Sequence, residues 1–394
     1  MSDQKQKNES GIMATPRHVD IAVTGRCNLS CAYCFYADEM NARRDLSTQQ
    51  WLDAFKKLGD ARVMTVCLTG GEALARPDFF ELVDGVIANR MRYSILSNGT
   101  LITERTLAEF EKGKRRPRLD SIQISIDGSS AEVHDHSRPN SFKRALRGLK
   151  LLNGAGFPLT VRVTINRFNY QDLENTACLL LEEVDLTGFS TNEAYPCGAT
   201  NRYEDEIMLN PLQRREVMDT LMRLNEKYHD RIGATAGPLA LAREECAIHE
   251  ARLKGENGFS GRGRLTACGG VFDKVAILHD GTIVPCHVIS DLHLGNILTD
   301  DPGEVWRSHP RMQAMRQRRE ISLDAIEPCK DCDYKGYCTG GCPGGALFLN
   351  GDFNTRNPMD CYRILIGEEA HTPHPIGYGI GTSKATPLSK LERT

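Results

Sequence analysis

The chain lacks an excess of charge, a long apolar run and an internal repeat, and each absence excludes something. Its 49 basic residues stand against 52 acidic ones, which removes the electrostatic case for nucleic acid or an acidic membrane as a partner. The longest apolar run, Cys31–Ala37, is seven residues, far short of the ~20 that span a bilayer. The N-terminus, MSDQKQKNES, has no apolar segment behind its charges and does not read as a secretion signal. A cytoplasmic location is the expectation. With 394 residues, 40% of them apolar, the chain can bury a large core without a disulfide or metal to hold it.

Cysteine is abundant instead. A reducing cytosol opposes structural disulfides, so the fourteen cysteines point to metal or redox chemistry. Ten of them form two groups: Cys27, Cys31 and Cys34 near the start, and Cys268, Cys286, Cys329, Cys332, Cys338, Cys342 and Cys361 near the end. Cys67 and Cys178 read as core residues. Cys197, in Tyr195-Pro196-Cys197-Gly198, is either core or facing a site.

The stretches 18–24, 62–69, 92–97, 119–126, 158–165 and 186–193 read as strands. They alternate with helices near 48–58, 78–89 and 142–153, and with others beginning at Thr103 and Asp172. Six βα units predict an α/β fold, a partial (βα)6 TIM-like barrel that stays open. Reactive groups in such barrels sit on loops after the strand C-termini, the place occupied here by Cys27–Cys34, Gly70–Glu72, Ser97–Gly99 and Ser125–Asp127. Further on, a helix over Pro211–His229, a hairpin over 275–286 turning at Asp280-Gly281 and a helix over Glu304–Arg319 are expected. Three thiolates on one short loop can hold three corners of an iron–sulfur cube and leave one iron open. Zinc would want a fourth ligand, and the loop offers no further Cys or His.

With this C-x3-C-x2-C spacing, and Tyr33 before the last cysteine, the chain resembles the radical S-adenosylmethionine (SAM) superfamily. The resemblance implies that the open iron chelates SAM, which is cleaved reductively to a 5′-deoxyadenosyl radical that abstracts hydrogen from a substrate. Gly70-Gly71-Glu72 resembles the family's GGE motif, which receives the SAM ammonium, although Ala73 stands where proline is usual. Ser97, Asn98, Ser125 and Asp127 would meet the ribose and carboxylate. Arg138 would meet the carboxylate too, since HDHSRPNSF (134–142) is similar to the HDxxRGxGSF of one branch, with two glycines missing.

The seven C-terminal cysteines, with Leu294–Ile297 and Trp306 between them, resemble the SPASM auxiliary-cluster domain; a pair of zinc knuckles is the competing structural reading. Carried over, Cys329, Cys332, Cys338 and Cys361 hold a distal [4Fe–4S] cluster, while Cys268, Cys286 and Cys342 hold a nearer one, for three clusters in all. Related enzymes take a fourth near ligand just upstream. Gly261–Arg264 offers no cysteine there, so either Cys246 reaches in or one iron stays open. The implied division is a disordered tail (1–15), the barrel (16–235), a linker (236–264), the SPASM domain (265–366) and a flexible tail (367–394).

SPASM enzymes mostly modify peptides or proteins, so the favoured expectation is a maturase of a ribosomally made peptide, served by a flavodoxin- or ferredoxin-type reductant. A small-molecule oxidoreductase is the alternative. A sulfatase-maturing enzyme would carry Asp after the second SPASM cysteine; here His287 stands there as a candidate base. A non-enzymatic electron carrier would not need the Gly70–Glu72 pocket. Too few residues precede the first strand for a leader-binding domain, so the leader would be read by the barrel and SPASM surfaces, by a separate protein, or not at all.

Overall fold

Ile21, Ala22, Val23 and Thr24 are all buried, so the C-terminal half of the first strand, β1 (His18–Thr24), is covered on both faces and needs neighbours on both sides. The computed structural model, which describes residues 12–40, 42–202, 204–266 and 268–367, supplies them. β1 pairs with β2 (Thr65–Gly70). The sheet continues through β3 (Arg92–Ser97), β4 (Leu119–Ser125), β5 (Leu159–Ile165) and β6 (Phe189–Glu193), each strand parallel to the next. A short strand, β7 (Ile232–Gly233), adds to β6. Across β1 lies β8 (Lys274–Ile277), also parallel, followed antiparallel by β9 (Thr282–Val284) and β10 (Gly295–Asn296). The order β10-β9-β8-β1-β2-β3-β4-β5-β6-β7 does not return on itself, so the barrel is partial and open, as expected.

Helices cover the outer face. Thr48–Asp60 begins at a Ser47–Gln50 capping box and buries Trp51, Ala54, Phe55 and Leu58, the i, i+3, i+4, i+7 stripe of an amphipathic helix. The Trp51 indole N–H donates to the Val23 carbonyl at 3.2 Å. Burying each of these large side chains is worth about 1.5–3 kcal/mol, and Phe55→Ala would cost about 3–5 kcal/mol. Lys57 Nζ reaches the Ile297 carbonyl at 2.9 Å, tying this helix to the C-terminal region.

Four expectations need correction. The segment 236–264 is not a plain linker: Pro238–Leu253 is a sixteen-residue helix, with proline in its first turn and Ala, Leu, Glu and Arg, all good helix formers, through its interior. It packs on the helix Pro211–Lys227, and Arg215 Nη2 donates to Glu245 at 3.1 Å. The helix expected over Glu304–Arg319 is two, Pro302–Ser308 and Pro310–Gln317, because a residue before proline avoids the helical region and His309 sits at ψ 125. The hairpin at Asp280-Gly281 forms, but its first strand also extends the barrel sheet. Residues 12–15, expected in a disordered tail, are held: Trp306 Nε1 donates to the Met13 carbonyl at 2.9 Å and Arg307 to that of Ala14 at 2.8 Å. The rest of the two expected tails, 1–11 and 368–394, lies outside the described residues.

Candidate metal and cofactor site

The strand C-termini open on a cavity of about 490 Å³. Cys27, Cys31 and Cys34, on the loop after β1, line one side. Burial pushes the Cys27 thiol up to about 11 and that of Cys34 up to about 12. It raises Cys31 as well, against the pull of Arg138. Thiols held this way stay protonated until a bound cation displaces the proton. Among the described residues no three His, Cys, Asp or Glu side chains stand close enough to share one metal ion. Three thiols on one loop with no fourth Cys or His on it are the donor set of a four-iron cube that keeps one iron open, whereas zinc would want a fourth ligand.

Gly70 and Glu72 bring β2 up to this loop. Gly70 has φ +135°, and a Cβ there would lie 2.3 Å from the Thr24 carbonyl oxygen, so only glycine fits. Glu72 is buried and accepts from Ser97 Oγ at 2.9 Å, Asn98 N at 2.8 Å and Leu74 N at 3.1 Å. Burial raises its carboxyl above the ordinary value, with these donors pulling back. The Glu72 carboxylate therefore clamps two strand ends together as well as facing the cavity. Asn98 Nδ2 in turn donates to Asn28 of the cysteine loop at 2.9 Å. Gly71, Ser97 and Ser125 line the cavity too.

Arg138 is not a surface arginine. Its Nε donates to Asp127 at 2.5 Å, its Nη1 lies 3.6 Å from Cys31 Sγ, and its guanidinium sits 5.3 Å from the Tyr33 ring centre. Burial works most strongly against this charge, but Asp127, Tyr33 and Cys31 together outweigh it and hold Arg138 above its ordinary value. Asp127, by contrast, does not line the cavity. It is fully buried and occupied by Arg138, the Tyr33 hydroxyl and Thr164 N at 2.8 Å. Its expected contact with ribose or carboxylate is replaced by a bracing role behind Arg138 and Tyr33.

The two C-terminal cysteine sets line two separate cavities. Cys268, Cys286 and Cys342 line the main cavity. Cys329, Cys332, Cys338 and Cys361 line a second, smaller one, where Arg356 Nη1 lies 3.0 Å from Cys361 Sγ. Two residues fall elsewhere. Cys246 is exposed on the helix Pro238–Leu253 and lines neither cavity. His287 is buried behind the wall: Nε2 donates to the Ile277 carbonyl at 3.2 Å and the ring meets Tyr36 edge-on. Burial lowers its basicity, so it is not a base facing the cavity. Glu193, at the end of β6, was not anticipated; it lines the cavity and pairs with buried Arg214 at 2.7 Å. Its strand-end position was the available signal, hidden by the weak pattern of 186–193.

Known proteins are similar to this chain in sequence and fold. The family model described as the radical SAM superfamily matches residues 21–180, and that of the SPASM iron–sulfur cluster-binding domain matches residues 268–333. The chain is 28% identical over 366 residues to the mycofactocin maturase MftC of Mycobacterium ulcerans, covering 90% of each protein. It is 25% identical to the AdoMet-dependent heme synthase of Methanosarcina barkeri, covering 88% of this chain and 97% of that protein. The fold matches Streptococcus suis SuiB bound to its precursor peptide SuiA with TM-score 0.69 at 17% identity, over 90% of this chain and 77% of that one.

Proposed function

The chain belongs to the radical SAM superfamily and carries a SPASM domain, and from that premise we propose that it abstracts hydrogen from a ribosomally made peptide during maturation. Membership brings [4Fe–4S] clusters and SAM binding; three clusters, held by the three cysteine sets above, belong to the proposal. When bound, the front cluster and SAM supply a 5′-deoxyadenosyl radical. Tyr33, Gly70, Gly71, Glu72, Ser97, Asn98, Ser125 and Arg138 would seat SAM beside the cluster. Arg138, braced by Asp127, offers its carboxylate a fixed cation, and Glu72 offers its ammonium an anion.

The observation that carries this reading is that Cys27, Cys31 and Cys34 share one cavity with Cys268, Cys286 and Cys342, so a substrate between them meets both sets. A peptide is supported by the relatedness to a maturase, MftC. Three AdoMet-dependent heme synthases at 25% identity favour a tetrapyrrole as the second reading. A reducing cytoplasm and a flavodoxin- or ferredoxin-type donor belong to the proposal. No described helix is long and apolar enough to cross a membrane.

The test is anaerobic reconstitution with iron, sulfide, dithionite and SAM, followed by chromatography for 5′-deoxyadenosine. Synthetic peptides translated from short reading frames beside the gene are then added, with mass spectrometry of each. A peptide that raises 5′-deoxyadenosine and changes mass supports the maturase. Stimulation by a porphyrin carboxylate and by no peptide moves the assignment to the second reading. No 5′-deoxyadenosine under any condition sinks both.

A further inference from the structure

The near cysteine set is one thiolate short of closing a cube. Gly261–Arg264 supplies no cysteine, and Cys246 lies on an exposed helix away from the cavity. A different cysteine does reach the cavity. Cys197 is 2% exposed and lines the same space as Cys268, Cys286 and Cys342.

The turn that carries it is tied to both sides of that space. Ala199 N donates to the Cys34 carbonyl at 2.9 Å. Gly198 has φ +59°, and a Cβ there would lie 2.4 Å from the Cys34 carbonyl oxygen and 2.6 Å from that of Phe35, so glycine lets the turn close onto the cysteine loop. On the other side Tyr195 lies beside Cys342 and its hydroxyl accepts from Asn357 Nδ2 at 3.4 Å. Cys286, Cys34, Asp38 and Cys342 all lie within electrostatic reach of the Cys197 Sγ, and a thiol in such a cluster becomes a thiolate ligand when a metal replaces its proton.

Resting on the function proposed above, we propose that Cys197 is the fourth thiolate of the auxiliary cluster held by Cys268, Cys286 and Cys342. The Sγ–H bond breaks, an Fe–S bond forms and the proton leaves to solvent; no electron is transferred. The auxiliary cluster then has no open iron, so substrate does not bind to it as a ligand, and the open iron of the front cluster is kept for SAM. Asp360 is the rival ligand on the same wall. Its Oδ2 already accepts from Cys342 N at 2.9 Å and Asn357 Nδ2 at 2.6 Å, and iron–sulfur cubes prefer thiolate.

The test uses the full chain with Cys27, Cys31 and Cys34 changed to Ala, so that only auxiliary clusters remain. Cys197→Ala and Asp360→Asn are each added to that background. After reconstitution, each protein is treated with ferricyanide and a chelator, which strip an iron lacking a protein ligand and leave a three-iron cluster visible by electron paramagnetic resonance. The parent and Asp360→Asn are expected to keep about eight irons and show no three-iron signal, while Cys197→Ala falls to about seven with that signal, or to about four if the near cube is lost. Cys197→Ser, whose oxygen can still ligate, should retain about eight irons with an altered spectrum of the reduced cluster. A three-iron signal in the parent, only about four irons in the parent, a Cys197→Ala protein identical to the parent, or a signal in Asp360→Asn alone each overturns the assignment. Failure of the broader function has a separate readout, the absence of 5′-deoxyadenosine from protein with the front cysteines intact.

Discussion

Glu72→Gln is the most informative single change, because its cost follows from counted donors. Three groups donate to the Glu72 carboxylate: Ser97 Oγ, Asn98 N and Leu74 N. Glutamine keeps the size but has one acceptor oxygen. If that oxygen takes the place facing Leu74 and Ser97, the Asn98 N–H is orphaned; if it faces Asn98, the Leu74 N–H is orphaned and Ser97 must turn to accept. One buried backbone donor is lost either way, at about 1–3 kcal/mol, and the two surviving bonds lose their charge assistance at about 1 kcal/mol each. Relief of the carboxylate's desolvation, the cause of its raised pKa, offsets part of this loss. The net is about 2 kcal/mol against the arrangement of the two strand ends, or up to about 30-fold in SAM cleavage. Substrate-independent 5′-deoxyadenosine formation, measured beside iron content, reads this directly. Iron should be unchanged, because Glu72 is not a thiolate ligand. Glu72→Ala, which orphans all three donors, should keep its iron and lose cleavage. Cleavage by Glu72→Gln within twofold of the parent would refute the reasoning.

The remaining predictions concern the clusters and the buried charges. Anaerobic reconstitution should give about twelve irons per chain and about eight after Cys27/Cys31/Cys34→Ala, as expected for three [4Fe–4S] clusters; zinc in place of iron would contradict the assignment. Asp127→Asn leaves Arg138 buried beside Cys31 without its carboxylate, and should cost about 3–5 kcal/mol in denaturant unfolding, much of it recovered by pairing it with Arg138→Met. A loss below about 1 kcal/mol, the level of an exposed pair, would contradict the bracing role. His134 accepts from Asp127 N at 3.0 Å and its Nε2 donates to Ser141 at 2.9 Å, and burial pushes its pKa down to about 4. Its folded value lies below the unfolded one, so stability is full above about pH 6.5 and falls by about 3 kcal/mol as pH drops toward 4. His134→Gln should remove that part of the acid slope; equal slopes in the two proteins would contradict it.

Much of this protein was legible along the chain because it is local. Cysteine spacing states which thiols one loop or one knuckle can offer, whatever surrounds it, and β-branched runs ending in Gly-Gly, Asn-Gly or Asp-Gly mark where parallel strands stop. β1 and β3 were anticipated to the residue, since their runs are bounded on both sides. Direction and depth were not legible, because they depend on sheet register and packing. His287 and Cys286 are adjacent in sequence, yet Cys286 faces the cavity while His287 turns back to the Ile277 carbonyl. Asp127 lies two residues beyond Ser125, yet the fold buries it behind Arg138 rather than exposing it to a ligand. The helix Pro238–Leu253 carries Cys246 on an exposed position that does not line the cavity of the set for which it was one of two alternatives. Spacing along the chain separated the front cysteines from the back ones, and the resemblance implied which of the back ones belong together; only the packing of the barrel against the C-terminal region decided that two of these sets share one cavity, and that Cys197 enters it from a third direction.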